Sequence, residues 1–146
     1  MPAHQHANGG GWVAETASVD EIAFVGPDAW VYGNAQVSGN AWVYGKARVS
    51  GNARVSGNTQ VYGNAQVYGN AVVYGNARVF DNAVVSGSTA VYGFGARVYG
   101  NARVFDNAVV SGNAQVFGNA QVYGNAVVYG NARVFDNAVV SASVGQ

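Results

Sequence analysis

The sequence predicts an all-β fold, a parallel β-solenoid built from triangular coils of eighteen residues. Valine recurs every six residues from Val13 to Val91 and, after one extra residue, from Val98 to Val140. Within each six-residue unit apolar and variable positions alternate, and a Gly-Asn pair separates most units. A unit this short cannot bury a core alone, so the units must stack on their neighbours.

Each hexapeptide predicts one short strand followed by one corner. In Gly33–Ser38, Ala35 and Val37 point to one side and Gln36 to the other, which is the period of a strand. The following Gly39–Asn40 pair suits a corner, because both residues tolerate positive φ. Three such sides close one coil, and successive coils then stack about 4.8 Å apart. The twenty-two units predict just over seven coils.

The chain divides into three predicted parts. Residues 1–11 form a flexible polar leader, residues 12–141 the β-helix domain, and residues 142–146 a C-terminal tail. The domain has a one-residue corner insertion near 93–95, where two glycines flank Phe94 and push it outward. A tolerated bulge is favoured over a binding feature at this corner.

Two regularities support the eighteen-residue coil. The segment Gly63–Ser86 recurs identically as Gly118–Ser141, at an offset of three coils plus the inserted residue, which indicates a duplication in phase with the coil. Asparagines also recur eighteen apart, as at Asn52 and Asn70. Stacked asparagines can pass amide hydrogen bonds between coils, although asparagine is also simply a good corner residue.

Composition excludes several functional classes. Seven basic and seven acidic residues cancel, so no long-range field attracts nucleic acid or an anionic membrane. The absence of cysteine excludes disulfides and thiolate metal sites. No stretch approaches the roughly 20 apolar residues of a membrane-spanning helix, and the start lacks the pattern of a secretory signal. An intracellular protein is the expectation.

The unit of core aliphatic, spacer, two corner residues, small residue and outward residue resembles the hexapeptide repeat of the left-handed parallel β-helix superfamily, which includes bacterial transferases. The resemblance covers Gly11–Ser141 and implies a single-stranded, left-handed helix. Enzymes of this superfamily are commonly trimers. The Tyr-Gly-Asn-Ala-x-Val arrays are similar to uncharacterised hexapeptide-repeat proteins of bacteria and their phages, which implies a cytoplasmic or virion location.

The chemistry that the resemblance would require is missing. Acyltransferases and carbonic anhydrases of this fold use histidines of the coil body, as base or as zinc ligands. Here His4 and His6 are the only histidines, and both lie in the leader. Two ligands on a polar segment make a poor zinc site. The sequence therefore predicts no catalytic residue, no metal site and no cofactor.

The acidic residues are predicted to cap the structure. Asp81 and Asp136 share an edge but lie three coils apart, on the order of 14 Å, which is too far for a shared proton. Corner capping beside the arginines three residues earlier is the better interpretation of Asp81, Asp106 and Asp136, with Arg78, Arg103 and Arg133. A charged cap that blunts the exposed coil edge is favoured over a calcium site for Glu15, Asp20, Glu21 and Asp28.

The period assigns one outward residue per side of each coil. We call the three sides face 1, face 2 and face 3. Face 1 carries Trp12, Trp30, Arg48, Gln66, Val84, Arg103, Gln121 and Val139. Face 2 carries Ser18, Gln36, Arg54, Val72, Ala90, Val109 and Val127. Face 3 carries Phe24, Trp42, Gln60, Arg78, Arg97, Gln115 and Arg133.

Face 2 is the predicted oligomer face. Its C-terminal half presents Val72, Ala90, Val109 and Val127, a flat apolar row. Such a row lowers solubility unless it meets a partner. Self-association follows as a hypothesis, with a homotrimer favoured by the resemblance.

Face 3 is the candidate ligand face. It combines Arg78, Arg97 and Arg133 with flanking Tyr62, Phe80 and Tyr99, and Phe94 lies at the insertion. Arginines beside aromatic rings could hold a nucleotide or a sugar. A purely structural ladder of stacked side chains is the favoured alternative.

The sequence thus predicts a non-enzymatic structural or binding module, a rigid oligomerising β-solenoid associated with a phage or bacterial assembly. The alternative is a protein that sequesters a nucleotide or sugar between subunits. An acyltransferase-like enzyme is the least favoured. Nucleic acid and membrane partners are not predicted. Coil ends without a cap could polymerise, because their strand edges would be unpaired.

Overall fold

The computed structural model describes residues 2–145 and confirms the β-solenoid. Described residues form strands and turns without a helix. The strands are β1 Ala3–Gln5, β2 Trp12–Ala14, β3 Ser18–Val19, β4 Phe24–Val25, β5 Trp30–Val31, β6 Gln36–Val37, β7 Trp42–Val43, β8 Arg48–Val49, β9 Arg54–Val55, β10 Gln60–Val61, β11 Gln66–Val67, β12 Val72–Val73, β13 Arg78–Val79, β14 Val84–Val85, β15 Ala90–Val91, β16 Arg97–Val98, β17 Arg103–Val104, β18 Val109–Val110, β19 Gln115–Val116, β20 Gln121–Val122, β21 Val127–Val128, β22 Arg133–Val134 and β23 Val139–Val140.

The strands form three parallel sheets, one for each predicted face. From β2 onward, strands that lie three positions apart along the chain pair with each other. Face 1 is the sheet from β2 to β23, face 2 runs from β3 to β21, and face 3 from β4 to β22. Partners are eighteen residues apart, as in Trp42 and Gln60, and nineteen apart across the insertion, as in Arg78 and Arg97. The predicted period and all three outward rows are confirmed.

The interior is a column of valine and alanine side chains. Val49, Val67 and Val85 are fully buried, and so are the alanines two residues before core valines in the middle coils. Small and branched side chains fit here because each coil leaves only a narrow space between its three strands. Thr59 and Thr89 stand at alanine positions, and each buried hydroxyl oxygen lacks a hydrogen-bond partner within residues 2–145.

The corners require a left-handed backbone conformation. At Gly69 φ is +72°, and a β-carbon there would lie 2.8 Å from the backbone nitrogen of Gly87 in the next coil. Glycine is therefore the ordinary residue at this position. The asparagines that follow the corner residues are linked from coil to coil by side-chain hydrogen bonds. The Asn52 amide donates to Asn70, and a longer chain of such bonds runs through Asn64, Asn82, Asn101, Asn119 and Asn137.

Residues 2–11, the leader that the sequence predicts to be flexible, fold against the first coil in the structure. Strand β1 pairs antiparallel with β2, with His4 opposite Val13. The next residues cross below β4: the Val25 amide donates to the Asn8 carbonyl, and the Gly11 amide donates to the Val25 carbonyl. The leader thus satisfies polar groups that the lowest strands of faces 1 and 3 would otherwise leave unpaired.

His6 is a structural residue of this folded leader. Its side chain is 8% exposed, and Nε2 lies 2.8 Å from the Ala23 carbonyl oxygen. Since a carbonyl only accepts, the Nε2 atom carries the proton. His4 is exposed and contacts the Glu15 carboxylate at 2.9 Å. The two histidines therefore serve different contacts and do not converge.

The C-terminal end is covered less completely. The Val144 amide donates to the Val127 carbonyl, and the Tyr129 amide donates to the Val144 carbonyl, which caps face 2. Within the described residues, β22 and β23 have no strand above them. No helix in residues 2–145 is long and apolar enough to cross a membrane.

Candidate functional site

Face 2 has the predicted apolar row. Val72 pairs with Ala90, Ala90 with Val109, and Val109 with Val127, so the four side chains stand in line over successive coils. All four are partly buried in the single chain. No charged side chain interrupts this row, since the one arginine of the face, Arg54, lies below it.

Face 3 is flanked by an uninterrupted aromatic ladder, as predicted. The ladder consists of Tyr44, Tyr62, Phe80, Tyr99, Phe117 and Phe135. Ring centroids of Tyr62 and Phe80 are 5.0 Å apart, and their planes differ by 3°. The Tyr44 hydroxyl donates to the Gln60 side-chain oxygen, so the rings lean over the face. Burial, together with the neighbouring phenol of Tyr62, raises the pKa of Tyr44.

The structure brings together only part of the candidate ligand set. Arg78 and Arg97 lie on adjacent strands, whereas Gln115 separates Arg97 from Arg133. All three arginines are exposed. Within residues 2–145 none of these arginines forms a salt bridge with a carboxylate.

The insertion forms a wide corner between faces 2 and 3. Phe94 is 85% exposed, which confirms that the two glycines push it outward. The Gly95 amide donates to Gly112 and the Asn76 amide to Gly93, so the corner stays bonded to both neighbouring coils. Phe94 and the aromatic ladder lie at opposite corners of face 3, and they do not form one surface.

Asp81 and Asp106 are corner caps, but arginine plays no part in the capping. The Asp81 carboxylate accepts a hydrogen bond from the Gly100 amide, and Asp106 accepts one from Gly124 in the same way. The predicted pairing with Arg78 and Arg103 is wrong, because those side chains stand on the outer faces while the carboxylates turn to the next coil. No cluster of three metal-ligating side chains occurs in the described part of the chain.

A groove on face 1, of about 530 Å³, is a feature that the sequence reasoning missed. Tyr68 and Phe105 stand at its two ends, and Val84 and Ser86 lie between them, partly buried. Its rim is formed by Gln66, Arg103 and Gln121, all exposed. These residues come from four successive coils of one face and one corner.

The signal for this groove was present in the residue that follows each core valine. At the corner between faces 1 and 2 this column reads Tyr32, Ser50, Tyr68, Ser86, Phe105 and Tyr123. Ser86 leaves a gap where an aromatic ring would otherwise stack. Reading the column for interruptions, rather than for its aromatic members, would have given Ser50 and Ser86 as candidate gaps, and the groove lies at Ser86.

Taken together, the stacked eighteen-residue coils, the three parallel sheets and the valine-alanine interior define a β-solenoid repeat protein. The chain belongs to the YdcK β-solenoid repeat family. The repeat of that family matches residues 29–45, 47–63, 59–75, 65–79, 77–93, 96–112, 114–130, 120–134 and 128–142, well over half of the chain. Comparison with curated proteins and with solved structures gives no match.

Proposed function

We propose that the protein is a non-enzymatic structural module that self-associates through face 2. The observation that supports this proposal is the row Val72, Ala90, Val109 and Val127, which is apolar, straight and free of charge. Over the same coils, exposed arginines lie on the other two faces: Arg103 on face 1, and Arg78, Arg97 and Arg133 on face 3. A flat row of branched aliphatic side chains suits a second copy of the same solenoid, because both surfaces repeat at the same coil spacing.

A homotrimer of parallel solenoids is the assembly that the hexapeptide superfamily suggests. A rigid rod of this kind would suit a bacterial or virion assembly, and the Tyr-Gly-Asn-Ala-x-Val arrays support that part of the proposal. Absence of histidine from the coil body supports a role without acyl transfer or zinc catalysis.

The test changes Val109 and Val127 together to lysine and measures mass by analytical ultracentrifugation. We expect the unaltered protein to sediment as an oligomer at micromolar concentration and the variant as a monomer with unchanged β-sheet circular dichroism. The matched control changes Val84 and Val139 of face 1 to lysine, which adds the same charge on another side. It should leave the oligomer intact, and a monomeric unaltered protein would refute the proposal.

A second candidate function is sequestration of a nucleotide or sugar between neighbouring solenoids. It is favoured by Arg78 and Arg97, two exposed arginines on adjacent strands without a carboxylate partner in residues 2–145. Native mass spectrometry of protein taken directly from cells should then show an added mass. Loss of that mass in Arg78→Gln/Arg97→Gln, but not in Arg48→Gln, would assign it to face 3. Absence of any added mass under several purification conditions would count against this function.

An acyltransferase activity is the least favoured function. No histidine is available as a base on the coil body. Binding or turnover of an acyl-coenzyme A donor would overturn this view.

A further inference from the structure

The corner between faces 1 and 2 is an aromatic ladder with missing members. At the corner between faces 3 and 1, six aromatic side chains stack without interruption from Tyr44 to Phe135. At the corner between faces 1 and 2, Phe105 stacks on Tyr123 at 5.3 Å, but Ser86 interrupts the stack below Phe105. The groove described above lies at this interruption.

The gap at Ser86 has the height of one aromatic ring. Tyr68 and Phe105 belong to coils two steps apart, so their rings are separated by about 9.6 Å at the strand spacing of a β-sheet. In the intact ladder from Tyr44 to Phe135, neighbouring centroids are 4.8 to 5.4 Å apart. A planar ring placed above Ser86 would therefore stack on Tyr68 from one side and on Phe105 from the other.

The rim of the groove carries a positive charge, which binding of an aromatic ring alone would not require. Arg103 is exposed at the rim and has no carboxylate partner within residues 2–145. Gln121 lies beside Arg103 on the next strand, and Gln66 lies two strands below Arg103, beyond Val84. A guanidinium group with a side-chain amide on the next strand suits a carboxylate or phosphate group.

From this geometry we propose that the groove binds a small molecule consisting of a planar aromatic ring with an anionic substituent. The ring occupies the vacant position above Ser86, and the anionic group meets Arg103. This site is separate from the self-association of face 2 and from the arginines of face 3. The stacked coils hold the backbone around the groove in place. No loop therefore has to close over the ligand.

A ring from a second copy is the competing occupant. Phe94 is the most exposed large apolar side chain among the described residues and could enter the same gap. Phenylalanine, however, offers nothing to Arg103 or to the two rim glutamines. The charge of the rim therefore favours a free aromatic anion.

The experiment measures binding of 2-naphthoate to the unaltered protein by isothermal titration calorimetry. Two related probes separate the contributions: cyclohexanecarboxylate has the charge without the flat ring, and 2-naphthalenemethanol has the ring without the charge. We expect 2-naphthoate to bind at least about tenfold more tightly than either probe, since each lacks one of two favourable contacts.

Three variants test whether the ligand lies in the groove. Ser86→Tyr fills the gap between Tyr68 and Phe105 and should abolish binding while it raises the thermal stability of the fold. Ser111→Tyr fills the corresponding gap between Tyr92 and Tyr129 at another corner, and it should leave binding unchanged. Arg103→Gln should weaken 2-naphthoate by about tenfold, the loss of one charge-assisted contact, without changing 2-naphthalenemethanol.

Three outcomes would overturn the proposal. The first is no binding of 2-naphthoate to the unaltered protein. The second is equal binding by Ser86→Tyr, which would place the ligand elsewhere. The third is dissociation of an oligomer by both Ser86→Tyr and Phe94→Ser, which would show that the gap holds Phe94 of a second copy.

Discussion

Two stretches of identical sequence occupy different positions in this solenoid. Gly63–Ser86 lies in the middle, and Gly118–Ser141 forms the C-terminal end. Val85 is fully buried, whereas its counterpart Val140 is only partly buried. The same difference extends to the surface: Phe80 is partly buried and Phe135 is 47% exposed, and Val84 is partly buried while Val139 is 60% exposed.

The difference shows that burial here is decided by the next coil and not by the local sequence. Each residue of the middle segment has a coil below and a coil above it, and the end segment lacks most of the coil above. Stability in such a molecule is approximately a sum of repeat terms and nearest-neighbour interface terms. Identical substitutions in the two segments therefore measure the interface term directly.

The largest expected difference concerns the core. Val85→Ala removes two fully buried methyl groups and should lower the free energy of unfolding by about 2 kcal/mol, counting transfer and cavity. Val140→Ala should cost at most about half as much, because its side chain is already partly exposed. Urea unfolding followed by circular dichroism measures both, and equal losses would contradict the nearest-neighbour account.

A matched control turns the end segment into a middle one. Replacing residues 142–146 by a second copy of residues 87–105 places a full coil above Val140. In that longer chain Val140→Ala should cost as much as Val85→Ala does in the present one. If the cost stayed small, the position of the valine relative to the next coil could not be the cause.

The next comparison concerns a corner glycine. Gly69 and Gly124 are equivalent in the two segments, with φ of +72° and +65°. Alanine at either position takes up the left-handed conformation at a cost of about 1–2 kcal/mol. At Gly69 the new β-carbon also meets the Gly87 backbone nitrogen at 2.8 Å, whereas at Gly124 the nearest atom is the Ser141 oxygen at 3.8 Å.

Gly69→Ala should therefore destabilise the protein by roughly 1 kcal/mol more than Gly124→Ala, at the low end of the range for overpacking. The difference is kept small because Asp81 shows that a corner accepts a β-carbon at φ of 60°. Thermal unfolding of the two variants measures it. A larger loss from Gly124→Ala would contradict the proposed contact with the next coil.

The six-residue period alone predicted the coil, the three faces and the interior. It could do so because a strict repeat places every valine at the equivalent position of one side of a coil. Features outside the repeat were predicted less well. The leader of residues 1–11 has no periodic apolar residues, so its hydrogen bonds to Val25 and Ala23 could not be inferred. They depend on carbonyl groups of the first coil that become available only once the coil has formed.

The candidate sites divide in the same way. Placement of Arg78 beside Arg97, and of Phe80 beside Tyr99, followed from counting residues. The groove at Ser86 exists because a serine stands where an aromatic ring would otherwise stack. A search for functional residue types does not detect a missing ring. The pairing of Asp81 with Arg78 failed because Arg78 lies on strand β13 of face 3, whereas the Asp81 carboxylate lies at the corner and accepts a hydrogen bond from Gly100 of the next coil.

The smallest expected difference concerns the corner aspartates. Asp81 and Asp136 are equivalent, with φ of 60° and 56°. Asp81 accepts a hydrogen bond from the Gly100 amide, whereas β22 is the last described strand of face 3, so no coil lies above Asp136. Glycine at either position removes the steric cost that a β-carbon has in the left-handed conformation. Only at Asp81 does the substitution also remove the hydrogen bond with the Gly100 amide.

Asp136→Gly should therefore stabilise the protein slightly. The free energy of unfolding of Asp81→Gly should be lower than that of Asp136→Gly by about 0.5–1.5 kcal/mol, the net value of one hydrogen bond. Asn at the same two positions is the control, since it tolerates positive φ and keeps an acceptor oxygen. Asp81→Asn should therefore lose less stability than Asp81→Gly does. Chemical unfolding in matched pairs measures these small differences, and an equal effect of glycine at both positions would show that the carboxylate does not hold the next coil.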